Sequence, residues 1–169
     1  MAILVSIILY GITLIGFSKI SKEKLEKIKD LALLGLLVSI VSYGCTEIVK
    51  YTWGRVRFRD LSSDYNEFTN LFKVNWFTGH KSFPSGHTNA ATSILLISMI
   101  VARLINNKII KNFTVIGCFL YIFTVAFSRI VVSAHYASDV LVGFAIGFTT
   151  IVAIYNVLKR KGVINASNR

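Results

Sequence analysis

The stretch Ser128–Asp139, SRIVVSAHYASD, places an arginine, a histidine and an aspartate at fixed intervals between two long apolar runs. Ionisable side chains at the edge of a membrane span are costly to hold, so they indicate a functional site. His135 and Asp139 are four residues apart, and a helix through both would place them on one face. A carboxylate against an imidazole fixes the tautomer and stabilises the charged form, which suits a histidine used as base or nucleophile.

A second cluster lies in Phe83–His87, FPSGH, immediately before the third apolar run. Proline is favoured at helix starts, and Ser85 and Gly86 leave backbone N–H groups accessible. A helix N-terminus with free N–H groups is a phosphate site. His87 would then lie beside the phosphate as a proton donor. A simple serine cap would explain Pro84 and Ser85, but not a histidine at the mouth of a lipid-embedded helix.

A third cluster, KYTWGRVR, begins at Lys50 and ends at Arg57. These two cations are seven residues apart, so a helix leaving the membrane would present both on one face as an anion clamp. Arg129 would add a third cation. Arg55 and Arg59 are interpreted as solvated or in contact with lipid headgroups.

Each of these residues also has a structural interpretation when it is taken singly. Arg129 would be a snorkelling anchor, His135 a satisfied loop histidine and Asp139 a helix cap. These interpretations do not explain why the three clusters converge on one membrane face. His80 has no comparable partner pattern and is assigned to the surface of a loop.

The elements that position these clusters follow from composition. The chain has 169 residues, of which 54% are hydrophobic and 16% charged; a soluble domain would carry more charge. A spanning helix needs about 20 apolar residues, and the first of the five runs is marginal unless Lys19 snorkels. The fold class predicted is all-α, a polytopic membrane bundle of five spanning helices in one domain, residues 1–169. The apolar runs are Ala2–Phe17, Leu31–Val49, Thr88–Ile105, Phe113–Val132 and Val140–Leu158.

The net charge of +11 would suggest nucleic acid in a soluble protein, but its distribution indicates membrane topology. Three segments, Ser18–Asp30, Arg103–Asn112 and Lys159–Arg169, hold 12 of the 19 lysines and arginines. They share one side if the runs alternate in direction, and the positive-inside rule makes that side cytoplasmic. The three clusters therefore face outward from the cytoplasmic membrane, and no nucleic-acid partner is expected.

The long loop Tyr51–Phe83 is rich in aromatic residues, among them both tryptophans. Interleaved aromatics and charges suit a segment in the headgroup region, with a short interfacial helix over Asn66–Trp76. An ordinary aromatic belt without a substrate role is an equal alternative. Cys45 and Cys118 lie in apolar runs, lack metal-type spacing, and are interpreted as small buried hydrophobes.

Together the clusters resemble the type 2 phosphatidic acid phosphatase (PAP2) superfamily of membrane lipid phosphatases. That family's pattern is K-x6-R-P, then P-S-G-H, then S-R-x5-H-x3-D. The second and third elements match fully, and the first matches at Lys50 and Arg57 but has Phe58 in place of proline. The three elements span residues 50–139. Integral members commonly have six spans with the first element after the third, so this chain looks one helix short.

The resemblance implies a metal-independent mechanism without cofactors. His135 would attack phosphorus to form a phosphohistidine, Asp139 would orient it, and His87 would protonate the leaving oxygen and then help activate water. The phosphoryl oxygens would be neutralised by cations and N–H or hydroxyl donors, namely Lys50, Arg57, Arg129, Ser85 and Gly86.

The partner implied is a lipid phosphate in the bilayer; undecaprenyl diphosphate, phosphatidylglycerol phosphate, phosphatidate and lipid A phosphates all fit. The chain's richness in Lys, Ile and Asn leans towards a bacterial source and undecaprenyl diphosphate. A non-hydrolytic protein that binds or transports lipid phosphates is the main alternative, although apolar span centres argue against transport. A vanadate-dependent haloperoxidase shares the phosphate-site pattern, but five spanning-length runs disfavour it.

Overall fold

The computed structural model describes residues 21–164, which form a helical bundle without strands over that range. A left-handed glycine, Gly54, ends the first helix, and a long irregular segment then leads to the second. The elements are α1 (Lys22–Trp53), a short 3-10 helix (Phe58–Asp60), α2 (Gly86–Thr92), α3 (Leu95–Leu104), α4 (Lys108–Val131) and α5 (Ala137–Arg160).

Within residues 21–164, four segments are long and apolar enough to cross a membrane, as judged by length and composition: Ile28–Asp60, Gly86–Leu104, Lys108–Val131 and Ala137–Arg160. The all-helical fold class is therefore confirmed. The first apolar run, Ala2–Phe17, lies outside the described residues, so the fifth span stays a prediction.

The third apolar run forms two helices, α2 and α3, rather than one continuous helix. The Ser93 and Ile94 N–H groups donate to the carbonyls of Ala90 and Ala91, three residues back, at 3.1 Å each. This 3-10-type turn tightens the chain between the two helices. As a result, α2 is a short helix of seven residues, Gly86–Thr92, separated from α3 by this turn.

The apolar core lies towards the end of the bundle remote from the three clusters. The Asp30 and Arg103 side chains pair at this end, joining α1 to the end of α3. Ile164, just after α5, packs into the same core. The lysine- and arginine-rich segments that the structure describes therefore gather at one end. The core residues are Leu31, Leu34, Val38, Leu95, Cys118, Ile122, Ile151, Leu158 and Ile164.

Two glycines of α5 allow α2 to approach closely. A Cβ added at Gly143 would lie 2.4 Å from the Ser85 carbonyl oxygen, and one at Gly147 would lie 2.8 Å from Asn89 Oδ1. Asn89 in turn donates to the Ser42 carbonyl and to Thr46 Oγ1 on α1. Small residues four apart are a common device for close helix packing in membranes, and here they bring α5, α2 and α1 together.

The structure contradicts the sequence expectations for the long loop and for one cysteine. Asn66–Trp76 is a series of turns rather than an interfacial helix, because its end is bonded back to α1: the Asn75 N–H donates to the Trp53 carbonyl at 3.0 Å. Trp76 also has a positive φ of 45°, which a right-handed helix excludes.

The two cysteines differ in burial. Cys118 is buried as expected, but Cys45 is exposed on the surface of α1.

We expect Gly147→Ala to destabilise the protein, because its Cβ would overlap Asn89 and Thr92. Overpacking of this kind typically costs about 1–3 kcal/mol. Denaturant unfolding in detergent micelles measures the change. Gly117→Ala is the matched control, since a Cβ there meets nothing within 4 Å. Equal stability of the two variants would contradict the close α2–α5 contact.

Candidate active site

The turn between α4 and α5 places His135 against Asp139. His135 precedes α5, and its N–H donates to the Arg129 carbonyl at 3.2 Å. Asp139 lies in the first turn of α5, where Oδ2 accepts from the Tyr136 N–H at 3.2 Å. His135 Nδ1 is 3.6 Å from Asp139 Oδ2, and both side chains are buried. This orientation leaves Nε2 as the imidazole nitrogen that can face a substrate.

His87 lies at the start of α2, whose position is fixed by Ser85. The Ser85 N–H donates to the Asp139 carbonyl at 2.9 Å, and its hydroxyl accepts from the Thr88 N–H as the helix N-cap. Ser85 is fully buried, and these two hydrogen bonds hold the start of α2 against α5. Its expected contact with phosphate stays a prediction. The His87 side chain is exposed.

The predicted cations gather around His87. The groups near enough to His87 to act on it electrostatically are Arg129, His135, Lys50 and Arg57. The premise that Lys50 and Arg57 share a helix face is wrong, because α1 ends at Trp53. The extended chain after Gly54 carries Arg57 back to the site instead.

Two of these cations are presented in distinct ways. Lys50 Nζ pairs with Glu47 Oε1 at 2.7 Å and lies against Gly86, where an added Cβ would be 3.0 Å from Nζ. Arg129 Nε is buried and has no hydrogen-bond partner within residues 21–164. A buried donor without a partner is uncommon and needs an explanation, and an anion in the site would supply the missing acceptor.

A pocket of about 700 Å³ opens beside these groups, between α1 and α2. Its wall begins at Lys50 and His87 and extends along α1 to Ser39, about 16 Å at 1.5 Å per residue. The site is thereby connected to a groove that descends towards the apolar part of the bundle. The lining residues are Ser39, Ser42, Tyr43, Thr46, Glu47, Lys50, Gly86, His87, Asn89, Ala90 and Ser93.

Arg55 is not solvated as the sequence suggested, for it is only 3% exposed. Its Nη1 donates to Asp139 Oδ1 at 2.7 Å and to Ser138 Oγ at 2.8 Å. The guanidinium also lies 3.9 Å from the centre of the Tyr136 ring. The cause is Gly54, whose left-handed conformation, φ 58°, turns the chain inward after α1. Arg59 is exposed, in agreement with the sequence.

Ser82 is a second residue that sequence reasoning missed. Its hydroxyl donates to Asp139 Oδ2 at 2.6 Å, and its N–H donates to the Arg55 carbonyl at 3.0 Å. No local sequence pattern marks Ser82 as a site residue. Its position just before the PSGH segment was the one feature that could have indicated it. His80 is exposed, as predicted for a loop histidine.

Aromatic rings close the outer side of this network. The Phe58 and Phe68 rings each meet the Tyr136 ring edge-on, with centroids 5.8 Å apart. Burial raises the pKa of the Tyr136 phenol, so the ring stays neutral over Arg55. Phe58, which replaces the motif proline, thus anchors the segment that carries Arg57.

The family model of the PAP2 superfamily matches residues 31–162, a range that includes all three clusters. The chain belongs to the PAP2 superfamily. Comparison with curated proteins and with solved structures finds no match. Membership of the PAP2 superfamily suggests phosphatase activity and agrees with a site built from histidines and cations.

We expect Gly86→Ala to weaken the binding of orthovanadate, a phosphate analogue, because the new Cβ displaces the Lys50 ammonium. A loss of about tenfold in affinity corresponds to about 1.4 kcal/mol, and isothermal titration measures it. Gly44→Ala on α1 is the control, since its Cβ meets nothing within 4 Å. Unchanged affinity in the Gly86 variant would argue against Lys50 as a phosphate ligand.

Proposed function

We propose that this protein is a metal-independent lipid phosphatase that acts at the outer face of the cytoplasmic membrane. The observation that carries the proposal is the His135–Asp139 pair beside His87, with Lys50 and further cations around it. A histidine oriented by a carboxylate is an activated nucleophile, and a second histidine nearby supplies the acid that the leaving group needs.

In the first step, His135 Nε2 attacks phosphorus. The N–P bond forms as the bond from phosphorus to the lipid oxygen breaks, and His87 gives its proton to that oxygen. Asp139 stabilises the positive imidazole through Nδ1. In the second step, water attacks the phosphohistidine and gives its proton to His87, releasing inorganic phosphate and restoring both histidines.

The cations stabilise the charge on the phosphoryl group throughout. Phosphoryl transfer depends mainly on positioning and charge stabilisation, usually with Mg²⁺. We assign that role here to Lys50, Arg57 and Arg129, assisted by the Gly86 N–H. Arg129 has a buried Nε without an acceptor and no ion pair within residues 21–164, which supports its assignment to the phosphate.

The bundle supports a lipid as the substrate. The site lies at the end of the bundle opposite the Asp30–Arg103 pair, and the positive-inside rule supports an extracytoplasmic location for it. The pocket from His87 to Ser39 gives the lipid portion a path into the bilayer while the phosphate stays among the cations.

We expect purified protein to release phosphate in EDTA from at least one of phosphatidate, phosphatidylglycerol phosphate and undecaprenyl diphosphate, and vanadate to inhibit release. His135→Ala removes the nucleophile and should abolish turnover, whereas His80→Ala should leave it unchanged. Full activity in His135→Ala would exclude the phosphohistidine mechanism. Tight binding of these lipids without turnover over hours would favour the non-hydrolytic alternative.

A second test concerns the groove. Ala90 lines the pocket and is exposed, so Ala90→Phe should obstruct the lipid path but leave the phosphate site open. We expect kcat/KM for the lipid to fall at least about tenfold, a barrier change of about 1.4 kcal/mol, with p-nitrophenyl phosphate hydrolysis unchanged. Ala102→Phe, exposed on α3 outside the pocket, is the control. Equal loss on both substrates would argue against a separate lipid path.

A further inference from the structure

We propose that Arg55 is a positioning residue for the nucleophile: it holds the Asp139 carboxylate, and Asp139 in turn holds His135. This inference rests on the proposed function and adds to it a third arginine, whose role differs from those of Arg57 and Arg129. Arg55 contacts the carboxylate, and the phosphate site is lined by other residues.

The contacts divide the two oxygens of Asp139 between different partners. Oδ1 accepts from Arg55 Nη1 at 2.7 Å. Oδ2 accepts from Ser82 Oγ at 2.6 Å and from the Tyr136 N–H at 3.2 Å, and it is the oxygen that faces His135. Rotation of the carboxylate would break these bonds, so the side of Asp139 presented to His135 is fixed.

Charge gives the second argument. The Asp139 side chain has no exposed surface, and a buried carboxylate is held as an anion only when it is paired and hydrogen-bonded. Arg55 makes the one salt bridge of Asp139 with a lysine or arginine within residues 21–164. An ionised Asp139 is what stabilises the imidazolium of His135 during transfer, so the Arg55 charge acts on the reaction through the carboxylate.

The form of the guanidinium explains why arginine occupies this position. One nitrogen, Nη1, serves both Asp139 and Ser138, while the planar group stacks on the Tyr136 ring. A lysine ammonium is a point charge on a flexible stem and cannot reproduce planar stacking together with fixed donor directions. Arg55→Lys should therefore restore only part of the function.

A purely structural role for Arg55 is the competing explanation, since the residue also ties the segment after α1 to α5. The two roles differ in their kinetic signature. A residue that acts through Asp139 changes kcat and leaves KM for the lipid near its original value, because it does not touch the phosphate. Substituting such a residue also has no further effect on kcat once Asp139 can no longer orient His135.

The experiment compares Arg55→Met, Arg55→Lys and Ser82→Ala, with Arg59→Met as the control because Arg59 is exposed. Phosphate release from phosphatidate and undecaprenyl diphosphate in detergent micelles gives kcat and KM. We expect kcat to fall about 10²-fold in Arg55→Met, typical of a misplaced reacting group, with smaller falls in the other two site variants. KM should stay within about threefold, and Arg59→Met should match the wild type.

A double-mutant cycle supplies the decisive comparison. Arg55→Met added to Asp139→Asn should lower kcat little beyond Asp139→Asn alone, because the two residues act as one unit. Multiplicative losses, or a rise in KM with kcat unchanged, would overturn the proposal. If Arg55→Met fails to fold, Arg55→Lys and Ser82→Ala decide, and full kcat in both would equally overturn it.

A binding-independent readout separates this proposal from the proposed function. The ¹⁵N chemical shifts of the His135 imidazole report its contact with Asp139 in protein that need not turn over. Arg55→Met and Asp139→Asn should shift these resonances in the same sense, while Arg59→Met leaves them in place. Absence of phosphate release from the wild type would refute the proposed phosphatase activity. Unchanged His135 resonances in Arg55→Met would instead refute the proposed positioning role of Arg55.

Discussion

The buried carboxylate of Asp139 is the constraint on which the rest of the site depends. An unexposed anion must have every oxygen satisfied, and its partners come from three separate parts of the chain: Arg55 after α1, Ser82 before α2, and the start of α5. Meeting that requirement draws three helix ends to one point. The same requirement leaves a single direction in which the carboxylate can meet His135.

The backbone around Asp139 extends this constraint into the bundle. The Asp139 carbonyl accepts from the Ser85 N–H, which fixes the start of α2, and the glycines one and two turns further along α5 let α2 settle against it. Since His87 follows Ser85 by two residues, its position relative to Asp139 is set by the packing of α2 against α5. Preorganisation of this kind is what transfer of a phosphoryl group requires.

The sequence predicted those features that local spacing determines. The apolar runs were sufficient for the all-helical bundle. His135 does lie against Asp139, but the premise of one helix through both is wrong, because α5 begins at Ala137 and His135 lies in the preceding turn. Features that depend on tertiary contacts were not accessible: the 3-10 turn at Ser93, the turns in place of a helix at Asn66–Trp76, and the burial of Arg55. In the last case the left-handed conformation of Gly54 turns Arg55 towards Asp139, and the sequence of this short segment does not show which of its neighbouring arginines is buried.

The surroundings of three cations, Arg55, Arg129 and Lys50, therefore give them different roles. Arg55 is buried against a carboxylate and an aromatic ring, so its positive charge is neutralised within the protein. Arg129 also has a buried Nε without a partner, as Arg55 does, but no ion pair neutralises Arg129 within residues 21–164, which is why we assign it to the phosphate. Lys50 lies between these cases, because Glu47 pairs with it at the wall of the pocket and a phosphate must share or displace that carboxylate. If phosphate binds here as proposed, repulsion by the Glu47 carboxylate would oppose the attraction of Lys50 and Arg129, and that balance would set how tightly the product phosphate is held.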